Sequence, residues 1–256
     1  MAEVVIVDSP DAGGLLAAEL IARLVVRKQD AVLGLATGST PLPVWKALAA
    51  RSLDLRRVRG FALDEYIGLP PGHPESYRAV IAREVVGPLG LTPTLVHVPG
   101  DDGGPIEGAG ARYEQNIAAA GGVDLQVLGI GRTGHIGFNE PGSSLVSRTR
   151  VKTLTEQTRA DNARFFDSPD DVPRHCLTQG LGTILDARHL VLLAFGEQKA
   201  DAIAGAVEGP VSSSLPGSAI QLHPLVTVIV DEPAAAKLRY ADYYRFSWDN
   251  RLPFER

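Results

Sequence analysis

The 256-residue chain is long enough to bury a large core, and its 45% hydrophobic and 21% charged residues are typical of a soluble globular protein. Its net charge of −5, with no basic run, argues against a nucleic-acid partner. The single cysteine, Cys176, excludes an internal disulfide and a cysteine-based zinc site. No apolar stretch could span a bilayer and the first residues lack a signal-peptide pattern, so we expect a cytoplasmic protein with no membrane partner.

Short apolar runs alternate with amphipathic segments from the first residues to the last. Extended segments are predicted at Val4–Val7, Ala31–Leu35, Val58–Leu63, Leu95–Val98, Val123–Gly129, Leu190–Phe195 and Val226–Val230. Helices are predicted from Ser9 through the apolar positions Leu15, Leu16, Leu20, Ile21, Leu24 and Val25, at Val44–Ala50, Tyr77–Val86 and Ala109–Ala120, and after the last two strands. This alternation favours an α/β fold with a mostly parallel sheet covered by helices.

No linker divides the chain, so we predict a single domain over residues 1–256. The segment from about Thr149 to Cys176 is polar and has few apolar repeats. Its composition suggests a lid over a binding site.

Chemically distinctive residues follow four of the predicted strands, at the sheet edge where α/β proteins bind ligands. The loop after the second strand consists of Thr37, Gly38, Ser39 and Thr40, and a helix follows at Pro41 or Pro43. Small hydroxyl residues at a helix start suit a phosphate, although a plain capping turn is the alternative. Lys199 and Arg164 could supply positive charge there, and each could equally be a surface residue.

Two further strand ends carry groups suited to proton transfer. Asp64 is a candidate base, and only one of the neighbouring carboxylates Asp64 and Glu65 can face a given ligand from a strand. The alternative for Asp64 is a helix cap or a salt bridge. His135 and Glu140, in a glycine-rich loop, form a candidate acid–base pair, against the alternative of a structural histidine. No metal-ligand spacing is present.

Gly129–Gly134 also matches the G-x-G-x-x-G dinucleotide fingerprint. That fingerprint requires a helix directly afterwards, and Gly137 and Pro141 argue against one. The residues therefore indicate an enzyme that acts by proton transfer on a small phosphorylated molecule, without a cofactor.

Six segments in this order resemble the glucosamine-6-phosphate deaminase family, and the likeness runs through nearly the whole chain. They are 33–41, 63–69, 73–77, 134–141, 144–153 and 221–224, and include LDEYIGL, HPESY and GHIGFNEP. The resemblance implies a Rossmann-like three-layer sandwich. It also implies conversion of glucosamine 6-phosphate and water into fructose 6-phosphate and ammonia, in amino-sugar catabolism and with no cofactor.

The resemblance also assigns roles to the candidate residues. The loop from Thr37 to Thr40, with Arg164 and Lys199, would bind the substrate phosphate. Asp64 would move a proton from C2 to C1, and His135 with Glu140 would open the sugar ring. Many family members carry an aspartate where this chain has Thr133, so we expect activity to be retained with slower ring opening.

Some members of this family are hexamers activated by N-acetylglucosamine 6-phosphate. Ser143, Arg150 and Lys152 match residues of that regulatory site, and Tyr243 or Tyr244 is a further candidate. Lid geometry would explain the same match, and a homo-oligomer is left open. Two rival functions also stay open at this point: a 6-phosphogluconolactonase-like hydrolase, which shares the Asp-Glu and Gly-His features, and a sugar-phosphate sensor without catalysis.

Overall fold

The computed structural model describes residues 2–252 of the chain. Its strands are β1 (Ala2–Val7), β2 (Val32–Leu35), β3 (Arg59–Ala62), β4 (Asp64–Ile67), β5 (Val96–His97), β6 (Leu125–Gly129), β7 (Arg150–Thr153), β8 (His175–Thr178), β9 (Leu190–Ala194) and β10 (Val226–Asp231). Its α-helices are α1 (Pro10–Arg27), α2 (Leu42–Ala49), α3 (Tyr77–Ile81), α4 (Gly87–Leu89), α5 (Ala109–Ala119), α6 (Glu156–Asn162), α7 (Leu181–Leu185), α8 (Ala200–Glu208), α9 (Glu232–Ala235) and α10 (Ala241–Asp249). Among these residues no helix is both long and apolar enough to cross a membrane.

Seven parallel strands form the central sheet, in the order β1-β10-β9-β6-β2-β3-β5, with helices packed around it. This confirms the predicted α/β fold. From β2 the chain builds outward to β5 and then returns to β6 on the other side of β2, so the direction of winding reverses between β2 and β6. Ligands of such sheets bind at the carboxyl ends of the strands beside that reversal.

The first helix shows how the sequence sets the local structure. Ser9 caps α1, because its Oγ accepts a hydrogen bond of 3.2 Å from the amide of Ala12. Of the apolar positions that we expected on one face, Ile21 and Val25 are buried, whereas Leu15 is 56% exposed. Several alanines complete the buried face. Gly14 allows α1 to lie close to α2, since a Cβ there would be 2.5 Å from Pro43 Cβ.

A second, antiparallel sheet of three strands, β4-β8-β7, was not predicted. Asp64 therefore begins β4, with Leu63 between it and the end of β3, rather than closing the β3 strand. The segment 149–176 contributes β7 and the first two residues of β8 to this sheet, so both of its ends are held by strand pairing. Between them lie α6 and two 3₁₀ turns, Ala163–Phe165 and Pro169–Asp171, and the lid remains a prediction for that part.

Candidate functional site

The carboxyl ends of four neighbouring strands, β3, β2, β6 and β9, surround a cavity of about 290 Å³. The convergence expected from the sequence is thus present. The predicted site residues that line the cavity are Thr37, Gly38, Ser39, Thr40, Asp64, His135, Arg164 and Lys199. Thr133 and Glu140 do not line it, and contact His135 instead.

The loop from Thr37 to Thr40 connects β2 to the start of α2. Gly38 has a φ of +90°, a conformation that residues with a side chain rarely adopt. No side chain caps α2, whose N-cap position is Pro41. The hydroxyl groups of this loop are therefore not used as a helix cap, and the loop faces the cavity.

The two cations expected at the phosphate site, Lys199 and Arg164, line the same cavity. Lys199 lies in the 3₁₀ turn Glu197–Lys199 after β9, and its Nζ donates a 2.7 Å hydrogen bond to the carbonyl of Ile130. Burial lowers the pKa of Lys199. Arg164 lies between α6 and the following loop, with its guanidinium 4.7 Å from the centre of the Phe165 ring.

Asp64 lines the cavity and is buried, with 7% of its surface exposed. Burial raises the pKa of this carboxyl to about 8, and the negative charge of Glu65 adds to the rise. Glu65 points elsewhere and accepts the amide hydrogens of Tyr77 and Arg78, each at 2.9 Å, at the start of α3. The capping role considered for Asp64 thus belongs to its neighbour.

The loop that carries His135 passes beside Asp64. A Cβ on Gly137 would lie 3.6 Å from Asp64 Oδ2, and the imidazole ring covers Gly131, where a Cβ would be 2.2 Å from Nε2. Glycine at these positions lets the ring and the loop approach so closely. The structure therefore places the imidazole and the buried carboxyl in the same cavity.

His135 is held from behind by two groups. Its Nδ1 lies 2.8 Å from Thr133 Oγ1 and 3.5 Å from Glu140 Oε2. Glu140 Oε1 accepts hydrogen bonds from the hydroxyls of Thr155, at 3.1 Å, and of Thr158. Because a carboxylate only accepts, this arrangement favours the tautomer with its proton on Nδ1.

The carboxyl of Glu140 is held in its charged form. Burial by itself would raise the pKa of Glu140, but the hydrogen bonds from His135 and Thr158 outweigh burial and lower it to about 2. Of the two buried carboxyls, Asp64 therefore has a pKa raised to about 8, whereas Glu140 stays ionised. Such a separation is typical of acid–base sites.

Sequence reasoning missed several residues of the cavity wall. They include Tyr77, Arg132, Thr158 and Asp161. Tyr77 and Arg132 stand inside the family-like segments or beside them and could have been singled out there. Thr158 and Asp161 lie on α6, in a polar stretch where no spacing marks them.

The residues matched to a regulatory site lie outside this cavity. Ser143 is buried, while Arg150 and Lys152 lie two residues apart on β7 and so share a face. Arg150 Nη1 donates a 2.9 Å hydrogen bond to Asn139 Oδ1. On α10, Tyr244 donates to Glu208 Oε1 at 3.1 Å, and Tyr243 is about half exposed.

Two other kinds of site, a dinucleotide-binding loop and a metal centre, can be compared with the described residues. No helix lies between β6 and β7, so the glycine fingerprint lacks the helix that dinucleotide binding requires. Within residues 2–252, no group of three or more His, Cys, Asp or Glu is placed to hold a metal ion.

Comparison with known proteins identifies the family. Residues 11–229 match the family described as glucosamine-6-phosphate isomerases/6-phosphogluconolactonase. The chain belongs to this family. Glucosamine-6-phosphate deaminases of Streptomyces avermitilis and Bifidobacterium longum are 60% and 58% identical to it, over 96% and 98% of both chains.

Solved structures of the family have the same fold. A monomeric glucosamine-6-phosphate deaminase is 40% identical, with a TM-score of 0.89 over 93% of this chain and 100% of that chain. The 6-phosphogluconolactonase of Trypanosoma brucei has a TM-score of 0.74 over 93% and 99%, at 18% identity. The second likeness shows the shared fold alone.

Proposed function

We propose that this family member is an enzyme that converts glucosamine 6-phosphate and water into fructose 6-phosphate and ammonia. One observation carries the proposal: Asp64 and the His135–Glu140 pair face one cavity beside the hydroxyl loop, Arg164 and Lys199. Relatives with the deaminase name share 58–60% of the sequence, whereas the lactonase of Trypanosoma brucei shares 18%.

Substrate binding begins with the phosphate. The hydroxyls and amides of the loop from Thr37 to Thr40 lie where α2 starts, and helix starts attract anions. Lys199 and Arg164 add positive charge to the same cavity. Held there at its phosphate end, the sugar extends toward Asp64 and His135.

Ring opening follows from the orientation of the imidazole. With its proton on Nδ1, held by Thr133 and Glu140, His135 has a free Nε2 that takes the proton of the C1 hydroxyl. The same nitrogen delivers that proton to the ring oxygen as the C1–O5 bond breaks. The ionised Glu140 stabilises the imidazolium that exists between these two transfers.

Isomerisation and deamination use Asp64. Its carboxylate takes the C2 proton of the open-chain aldehyde while the ammonium group on C2 gives a proton to the C1 oxygen, which gives an enolamine. Asp64 then returns its proton to C1, which leaves an iminium at C2. Water adds there, and ammonia leaves as the ketone forms. A pKa of about 8 suits a carboxyl that must both take and give a proton near neutral pH.

Thr133 supports a catalytic function over a sensor, because its hydroxyl contacts His135 Nδ1 and lies 3.5 Å from Glu140 Oε2. A sensor without chemistry has no need of that arrangement. A cytoplasmic location and a homo-oligomer stay predictions from the sequence.

The test compares three compounds with purified protein: glucosamine 6-phosphate, unphosphorylated glucosamine and 6-phosphogluconolactone. We expect ammonia from the first and far less from the second, and no lactone hydrolysis above background. Lactone hydrolysis without ammonia would support the lactonase, and binding of the first compound without any product would support the sensor.

A further inference from the structure

Arg132 lines the cavity but has no part in the steps above. It follows β6 in the loop that carries His135, and its side chain is 55% exposed. Its Nη1 lies 3.7 Å from Asp161 Oδ1 on α6. This ion pair therefore links the catalytic loop to α6 at the cavity wall.

Arg132 is also close to Lys199, one of the two proposed phosphate ligands. Lys199 is bonded to the carbonyl of Ile130, two residues before Arg132. Burial has the largest effect on the pKa of Lys199, and three neighbouring charges also act on it. The charge of Asp161 raises this pKa, and the charges of Arg164 and Arg132 lower it. All four of these charged residues line the cavity, and Arg132 and Asp161 are paired directly.

The balance of these charges fits a phosphate ester. Three cations against one carboxylate leave an excess of positive charge, while a phosphate monoester carries about −1.5 to −2 near pH 7. A guanidinium can also bind two phosphate oxygens at once. Asp161 keeps a partner if Arg132 leaves it, because it accepts a 2.9 Å hydrogen bond from Gln157 Nε2.

We propose that Arg132 is a third cation of the phosphate subsite, which Asp161 holds at the cavity until the substrate phosphate binds it. This rests on the proposed function for the identity of the substrate. It does not rest on the chemistry of deamination. The same geometry has a competing explanation, in which Arg132 only neutralises Asp161 and never touches the phosphate.

A double-mutant cycle separates the two explanations. Binding of inorganic phosphate is measured by calorimetry for wild type, Arg132→Met, Asp161→Asn and the double variant, and KM for glucosamine 6-phosphate is measured alongside. Because charge-assisted hydrogen bonds are strong, we expect Arg132→Met to weaken phosphate binding and to raise KM by about tenfold. The penalty should persist in the Asp161→Asn background. Arg132→Lys, which keeps the charge but loses the planar fork, should lie in between.

Arg57→Met is the matched control, because Arg57 precedes β3 and so lies at the amino ends of the strands, away from the cavity at their carboxyl ends. Its side chain contacts Gln29. It should leave phosphate binding unchanged, and thermal unfolding of each variant verifies that it is folded. A penalty that disappears in the Asp161→Asn background would overturn the inference, as would normal binding by Arg132→Met. Wild type that binds phosphate through Arg132 but releases no ammonia would contradict the proposed function and leave this inference standing.

Discussion

The raised pKa of Asp64 predicts an unusual pH dependence of catalysis. Only the carboxylate can take the C2 proton, so kcat/KM should follow the ionised fraction of Asp64 in the free enzyme. With a pKa of about 8, that fraction is about one tenth at pH 7 and about nine tenths at pH 9. We therefore expect kcat/KM to rise roughly tenfold between these pH values. An exposed aspartate, ionised from about pH 4 upward, would give no rise here.

The variant Glu65→Gln distinguishes the ionisation of Asp64 from ionisations of the substrate, because the substrate ionises in the same way with the variant and with wild type. It removes the negative charge that adds to the effect of burial, so the inflection in kcat/KM should move to lower pH. The assay follows ammonia release from pH 5 to 9.5, with thermal unfolding to verify the variant, because Glu65 also accepts hydrogen bonds from α3. Superimposable profiles, or a wild-type inflection near pH 4, would refute this account of Asp64.

Three further predictions concern stability, ring opening and regulation. A raised pKa of Asp64 in the folded state gives stability that is present at low pH and is lost as pH rises through about 8. The stability of Asp64→Asn relative to wild type, measured by thermal unfolding, should therefore increase between about pH 4 and pH 8, by roughly 5 kcal/mol at most. An equal difference in stability at both pH values would contradict this. Thr133→Val removes one hydrogen bond to His135, worth about 1 kcal/mol, and should lower kcat about fivefold. Thr133→Ser, which keeps the hydroxyl, should keep most of the wild-type kcat. A valine variant as fast as wild type would show that the hydroxyl is dispensable. The resemblance at Ser143, Arg150 and Lys152 predicts that N-acetylglucosamine 6-phosphate lowers KM and that Lys152→Met abolishes the effect; identical wild-type kinetics with and without this compound would rule regulation out.

The sheet edge could be predicted from the sequence because its signals are local. Apolar runs ending at Leu35, Leu63 and Gly129 mark strands, and polar or glycine-rich residues follow each of them. General rules for parallel sheets then bring those ends together. The helix predicted at Tyr77–Val86 is also present, although it is α3 followed by a π-helical turn from Ala82 to Val86.

The small sheet could not be predicted in the same way. β7 alternates between half-buried and exposed residues within a polar segment, and its partner β8 also pairs with β4, more than 100 positions earlier in the sequence. No local pattern encodes pairing at that separation. The hydroxyls of Thr155 and Thr158 reach Glu140 only because this sheet fixes both ends of their segment, so the support of His135 was also hidden.

The relation between the two products tests the central claim most directly. Ammonia and fructose 6-phosphate are measured together, over time, from glucosamine 6-phosphate, with wild type and with Asp64→Asn. We predict that wild type releases the two in equal amounts and that Asp64→Asn loses at least about a hundredfold in rate. A wild-type protein that binds the sugar phosphate and releases neither product, or a variant as fast as wild type, would contradict the mechanism.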